Sequence, residues 1–261
     1  MISGRVTFTL RQQGVPSWQL NELKKLCEMF RSVVIWNNIT RGKNANLEKT
    51  LAIMSVQNCQ NDLCQLAIEG LDAELACMVI TEYISQHFLL ISTTHNSKKL
   101  AEYTLSQQEH LNAPIAVNWH YLESQSLLSK IDVLALAAKS ISPKNQHQLL
   151  CALEKRENLS STYLGEGLAL PHIMHETVKT VTIAFMHLEK GTTWTLDKPD
   201  VNTVLVILIP NTKQRDILLP VTRLTRWLLS ASNQRLLADN FDPFTLKIII
   251  SHIFRCYQPE C

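Results

Sequence analysis

The chain has 261 residues, and at roughly 100 to 200 residues per domain that length predicts two domains or one unusually large one. Apolar residues make up 46% and charged residues 18%, a balance that supports ordinary buried cores and excludes disordered and fibrous architectures. Twenty-five Lys and Arg against 23 Asp and Glu leave a net charge of +2, too little for a strongly basic surface, so no nucleic-acid partner is expected.

The longest apolar run, Val204 to Ile209, falls far short of the roughly 20 residues that cross a bilayer, and no direct membrane insertion is expected. The N-terminal MISGRVTFTL alternates as a strand does and lacks the basic start and apolar stretch of a secretion signal, which predicts a cytoplasmic protein. The seven cysteines (Cys27, Cys59, Cys64, Cys77, Cys151, Cys256 and Cys261) contain no CxxC pair and read as reduced, mostly buried thiols.

In chain order, Val6-Phe8-Leu10 alternate as a strand, and Leu20, Leu23, Leu26, Cys27 and Phe30 follow at helical spacing. Val33 to Trp36 predicts a second strand, Leu47 to Met54 a short helix, and Leu63 to Ile68 a strand ended by the Gly70 turn. Ala73 to Phe88 reads as a helix. This order fits a small sandwich with helices on one side of a sheet. The polar residues that follow show no sustained period, so domains at 1–90 and 127–261 are expected, joined by a linker with some local structure at 91–126.

In the second half, Ser142 and Pro143 read as the cap and first residue of a helix running to about Glu157. Val181, Ile183 and Phe185 predict a half-buried strand, whereas the unbroken Val204 to Ile209 predicts a central strand covered on both faces. Helices are expected from Asp216 to Leu237, started or kinked by Pro220, and from Pro243 behind an Asp242 cap. The fold class is therefore α/β (α+β), with helices flanking a mixed sheet in the second domain.

The segment EKRENLSSTYLGEGLALPH, Glu154 to His172, resembles the phosphoacceptor segment of the enzyme IIA proteins of the mannitol, fructose and nitrogen-regulatory type. These belong to the bacterial phosphoenolpyruvate-dependent phosphotransferase system. The likeness lies in an Arg-Glu pair, a Ser/Thr-Tyr-Leu-Gly step and a Gly-x-Ala-x-Pro-His ending, and it extends over roughly 127 to 258. The first half resembles HPr, the small phosphocarrier of the same system, in GKNANLEKTL (Gly42 to Leu51), in LAIEGLD (Leu66 to Asp72) and in the order of elements. The fold so implied is an HPr-like open-faced β-sandwich followed by an enzyme IIA-type domain.

The resemblance implies that His172 is the catalytic phosphoacceptor, because an imidazole nitrogen can attack a phosphoryl group and later release it. It also implies that Arg156, sixteen residues earlier, clamps the transferring group with its planar guanidinium. Glu157 is expected to orient a neighbour or end the helix. Phosphohistidine transfer would then run from a phosphorylated HPr-type carrier to an enzyme IIB-type or regulatory target, for sugar uptake or regulation, with no cofactor and no metal.

Two departures stand out. HPr carries its active His in a Gly-x-His-x-Arg-Pro segment at the start of a helix; here the stretch is Gly14-Val15-Pro16-Ser17-Trp18-Gln19. Pro16 has no nucleophilic nitrogen, so the first domain is expected to be a docking or regulatory module. In the second half, Ile173 follows the Pro-His pair where a small residue is common. A second His expected after the central strand is also missing, Arg215 or Asp216 falling near its place while His175 and His187 are the nearest substitutes. A non-catalytic regulatory interaction protein is the alternative reading.

Overall fold

The structure, a computed structural model, describes residues 3–94 and 99–256; Cys261 lies outside them. Two compact units divide the chain, one running to Asn112 and including the residues from Phe244 onward, the other spanning Ala113–Pro243.

In the first unit, β1 (Ser3–Thr9), α1 (Ser17–Cys27), β2 (Val33–Asn38), β3 (Lys43–Asn46), α2 (Thr50–Met54), β4 (Leu63–Glu69), α3 (Ala73–His87) and β5 (Leu89–Thr93) follow in order. The strands form an antiparallel sheet ordered β3-β2-β4-β1-β5. Strand alternation separates its two faces. Val6, Phe8, Trp36, Leu66 and Ile68 pack with Leu20, Leu23, Ala76 and Ile80 of the helices, while Thr7, Thr9, Gln65 and Ser92 form a buried polar face.

The last helix reaches that polar face. This helix is α9 in chain order, Pro243–Arg255; its Thr245 hydroxyl meets Ser92 at 2.6 Å. His252, fully buried at 1% exposure, donates from Nδ1 to the His110 carbonyl at 2.7 Å. Its Nε2 accepts from the Thr40 hydroxyl at 2.8 Å, an oxygen that itself accepts from the Leu63 N–H at 2.8 Å.

Of the described cysteines, Cys27, Cys64, Cys77, Cys151 and Cys256 are free, and Cys151 is exposed; Cys59 is disulfide-bonded, which corrects the expectation of reduced thiols throughout. Burial pushes the Cys27 thiol up to about 12, with Glu48 and Glu28 adding to the effect, so it stays protonated.

The described residues of 91–126, expected as a linker with some local structure, carry regular elements. They include the end of β5, α4 (Glu102–Gln107), a 3-10 turn at Glu109–Leu111 and β6 (Val117–Ser124), and the units meet in sequence at Asn112–Ala113. The reason is pairing: β5 completes the first sheet along β1, and β6 runs parallel to β10 (Val181–Thr192) in the second.

The second unit continues with α5 (Lys130–Ile141), α6 (Gln146–Leu159), β7 (Tyr163–Gly165), β8 (Leu168–Ala169), β9 (His172–His175), the β10 strand, β11 (Val201–Pro210), α7 (Arg215–Trp227) and α8 (Ala231–Ala238). Its mixed sheet is ordered β6-β10-β11-β8-β7, with β9 also on β11. Ser129 and Asp132 close a capping box at the start of α5. Pro143 opens a short 3-10 turn leading into α6 rather than α6 itself, and Pro220 lies inside α7 rather than at its start. β10 is buried on both faces from Val181 to Met186, not half-buried: Ala184 and Met186 pack in the core cluster, and Ile183 and Phe185, which point to the opposite face, are buried as well. Among the described residues no helix is long and apolar enough to cross a membrane.

Two predictions follow from local geometry. Gly165 adopts φ +140, and a Cβ there would meet Gln234 Oε1 at 2.7 Å, with Gln234 itself buried and tied to the Leu228 carbonyl at 2.8 Å. Gly165→Ala should therefore cost ~1–3 kcal/mol, read as a lower urea midpoint.

The second concerns acid. Burial drives the His252 imidazole down to about 4, against the raising effect of its bond to the His110 carbonyl and with added repulsion from His110; burial and Arg255 lower His110 as well. A pKa below the unfolded value of about 6.5 means that the neutral ring contributes its stability above that pH and loses it as pH falls toward 4. Over that window the stability of the protein should fall by ~3 kcal/mol more than in His252→Gln, measured by urea midpoints at each pH.

Candidate functional site

The elements around His172 are set by β11. Ile207 to Pro210 pair in parallel with His172 to His175, and Thr203 and Val204 pair with Leu168 and Ala169. Both short strands thus share one edge of β11, interrupted at Leu170-Pro171. Pro171 has no N–H to give a ladder, but its carbonyl accepts from the Ile207 N–H at 2.9 Å. The break frees the Leu170 carbonyl, which accepts from His172 Nδ1 at 2.9 Å.

His172 and Arg156 line one open cleft of about 460 Å³, together with Ala152, Lys155, Leu159, Ile173, Met174 and Ile209. The structure therefore brings the two residues singled out by sequence to the same surface. Arg156, in the last turn of α6, donates from Nη1 to the Ser160 carbonyl at 2.9 Å; a guanidinium has five N–H donors, so the bond anchors it while leaving others for a ligand.

Ile173 does not crowd the nucleophile by lying beside it on the strand face. Neighbours in a strand point to opposite sides, and Ile173, 8% exposed, belongs to the core with Leu149, Leu153 and Val206 while also reaching the cleft. Met174, two residues on, is 47% exposed and joins His172 at the cleft.

The residues considered for the missing second His are elsewhere. Arg215 and Asp216 are exposed in the first turn of α7 and do not line the cleft. His175 is engaged with Thr177, its Nδ1 lying 2.8 Å from Oγ1 and 3.3 Å from the backbone N–H. His187 lies with its ring centroid 4.4 Å from that of Phe241, and its buried Nδ1 has no hydrogen-bond partner among the described residues. In the first unit Pro16 caps α1, and Trp18, 53% exposed, presents an edge contact to His87 at 5.8 Å.

Glu157 faces away from the cleft: it is 6% exposed and accepts from the Thr162 N–H at 3.2 and 3.1 Å and from its hydroxyl at 2.6 Å. Sequence reasoning missed Lys155 and the apolar rim. Helical spacing offers a signal, since Ala152, Lys155, Arg156 and Leu159 share one face of α6. Among the described residues no group of three His, Cys, Asp or Glu side chains converges as metal ligands.

This arrangement, His172 on a short strand and Arg156 at a helix end beside the same cleft, can be compared with known proteins. Multiphosphoryl transfer protein 1 of Escherichia coli (strain K12) is 34% identical over 74 residues, 28% of this chain and 8% of that protein. Multiphosphoryl transfer protein 2 of the same strain is 26% identical over 98 residues, 38% of this chain and 11% of that protein; the chain thus spans about a tenth of the length of either relative.

Among solved structures, nitrogen regulatory protein IIA-Ntr from Neisseria meningitidis overlays 50% of this chain and 92% of its own at 23% identity and a TM-score of 0.44. Phosphocarrier protein HPr from Bacillus anthracis str. Ames overlays 31% of this chain and 94% of its own at 22% identity and a TM-score of 0.27. No functional argument rests on these overlays. The family described as phosphoenolpyruvate-dependent sugar phosphotransferase system, EIIA 2, matches residues 117–253, and since this is more than half of the 261 residues, the chain belongs to that family.

Proposed function

We propose that this protein accepts a phosphoryl group on Nε2 of His172 from a phosphorylated HPr-type carrier and passes it to an enzyme IIB-type or regulatory acceptor. The observation that carries the reading is the shared cleft of His172 and Arg156, in a chain of the EIIA 2 family.

The choice of nitrogen follows from the hydrogen bond at the strand break. A carbonyl oxygen only accepts, so the Leu170 carbonyl at 2.9 Å fixes the proton on Nδ1 and leaves the lone pair on Nε2. Nε2 attacks phosphorus, the P–N bond to the donor breaks, and its electron pair returns to the donor imidazole. The positive charge that develops on the His172 ring is stabilised by the same carbonyl. That charge also makes the ring a good leaving group for the next transfer. Arg156 neutralises the equatorial oxygens during both steps, and the exposed Lys155 at the cleft attracts the dianion.

The first unit then serves as a docking or regulatory module, since Pro16 stands where HPr-type chemistry needs a histidine. Pro16 also supports the second reading, a protein that has kept binding faces and given up phosphotransfer altogether.

Incubation of the full chain with phosphoenolpyruvate, enzyme I and a functional HPr or its nitrogen-branch counterpart tests this. Acid-labile phosphate is expected on wild type and not on His172→Ala, with Arg156→Ala slowing transfer about 100-fold. Arg156→Lys should fall between them, because an ammonium lacks the planar fork. A folded wild type that takes no phosphate from either carrier would leave the interaction-protein reading standing.

A further inference from the structure

The Glu157 carboxylate is buried beside Arg156 in sequence, yet it does not line the cleft. It takes both hydrogen bonds that Thr162 can donate, and the Lys130 ammonium lies 3.4 Å away. Lys130 also donates to the Trp194 carbonyl at 2.8 Å. The Trp194 indole N–H donates to Thr162 Oγ1 at 3.2 Å, so the Thr162 hydroxyl proton is committed to Glu157.

From Thr162 two backbone links lead to the nucleophile. The Leu170 N–H donates to the Thr162 carbonyl at 2.9 Å, and the Leu170 carbonyl accepts from His172 Nδ1 at 2.9 Å. We propose that Glu157 is a positioning residue for His172, holding the Thr162–Leu170 backbone pair so that the imidazole keeps its proton on Nδ1 and its lone pair on Nε2. The proposal deepens, and rests on, the reading of His172 as phosphoacceptor.

Ending a helix does not explain this carboxylate. It sits at the C-terminal end of α6, where the helix dipole disfavours negative charge, and burying it costs desolvation that a Gln or an apolar residue would avoid. What an ionised carboxylate adds is acceptor-only character on both oxygens, which orients Thr162 uniquely; an amide can present a donor instead.

Nitrogen-15 labelling of histidine in the full chain, read through long-range proton–nitrogen correlations, reports the His172 tautomer without any phosphotransfer. Phosphoramidate is the second probe: Nε2 attacks its phosphorus, the P–N bond breaks and ammonia leaves, so the phosphohistidine isomer can be assigned without a partner protein. Wild type and Thr162→Ser are expected to show the Nδ1–H tautomer and Nε2 phosphate. Glu157→Gln and Thr162→Val should show mixed tautomers, a share of Nδ1 phosphate and transfer at Nε2 slowed about tenfold or more, the direction set by a misassigned tautomer in other histidine catalysts.

Wild-type tautomer and rate in folded Glu157→Gln would overturn the proposal. If that variant does not fold, the Thr162→Val and Thr162→Ser pair decides it by the same readout. Absence of phosphate on wild type, with the tautomer shifting in the variants, would sink the acceptor reading and leave the positioning intact.

Discussion

The parallel pairing of β11 with two short strands on a single edge is the constraint on which the site depends. An unbroken strand along that edge would commit every backbone group to the ladder and hold side chains at a two-residue alternation. Pro171 makes that impossible, because it brings a carbonyl to Ile207 and no N–H. The chain therefore leaves the ladder after Ala169 and rejoins it at His172. The released Leu170 carbonyl has one place to go, the imidazole immediately beyond. By interrupting the ladder, Pro171 leaves the Leu170 carbonyl to meet His172 Nδ1.

Helix geometry does the corresponding sorting for the two charged neighbours at the end of α6. Successive residues of an α-helix point about 100° apart, so Arg156 and Glu157 cannot serve the same surface. Arg156 goes to the cleft and to the Ser160 carbonyl, which suits a cation among unpaired carbonyls at a helix end. Glu157 turns inward and is compensated by Thr162 and Lys130. The Arg-Glu pair read from sequence as a motif is, in space, one group at the cleft and one within the scaffold.

What was legible in the sequence follows the same division. The cleft residues His172 and Arg156 carry a motif of fixed spacing, and β11 carries a continuous apolar run because both its faces are covered. β6 was read as linker because its burial alternates weakly, with only its edge position in the sheet to sustain it. β3, Lys-Asn-Ala-Asn, has no hydrophobic pattern and exists through its pairing with β2. The start of α5 did carry a signal, Ser129 three residues before Asp132, and a search for capping boxes would have found it. The Thr162–Leu170 link joins backbone groups, which no side-chain pattern encodes.

The first unit has a core that does not depend on the residues at the start of α1. Its core is held by Phe8, Trp36 and Phe88, with edge contacts from Trp36 to the other two rings and tilted contact between Phe8 and Phe88 at 5.1 Å, none of which lies at the start of α1. Pro16 at the N-cap of α1 costs that packing nothing, since proline suits the entry to a helix. The buried polar face is a different matter. Thr40, Ser92 and the His110 carbonyl are all matched by α9, and losing a partner for a buried polar group costs more than the bond contributes. The last helix is therefore held to this unit by polar matching, a selective constraint on Thr40, Ser92 and His252 that persists whether or not a phosphoryl group ever passes through the first unit.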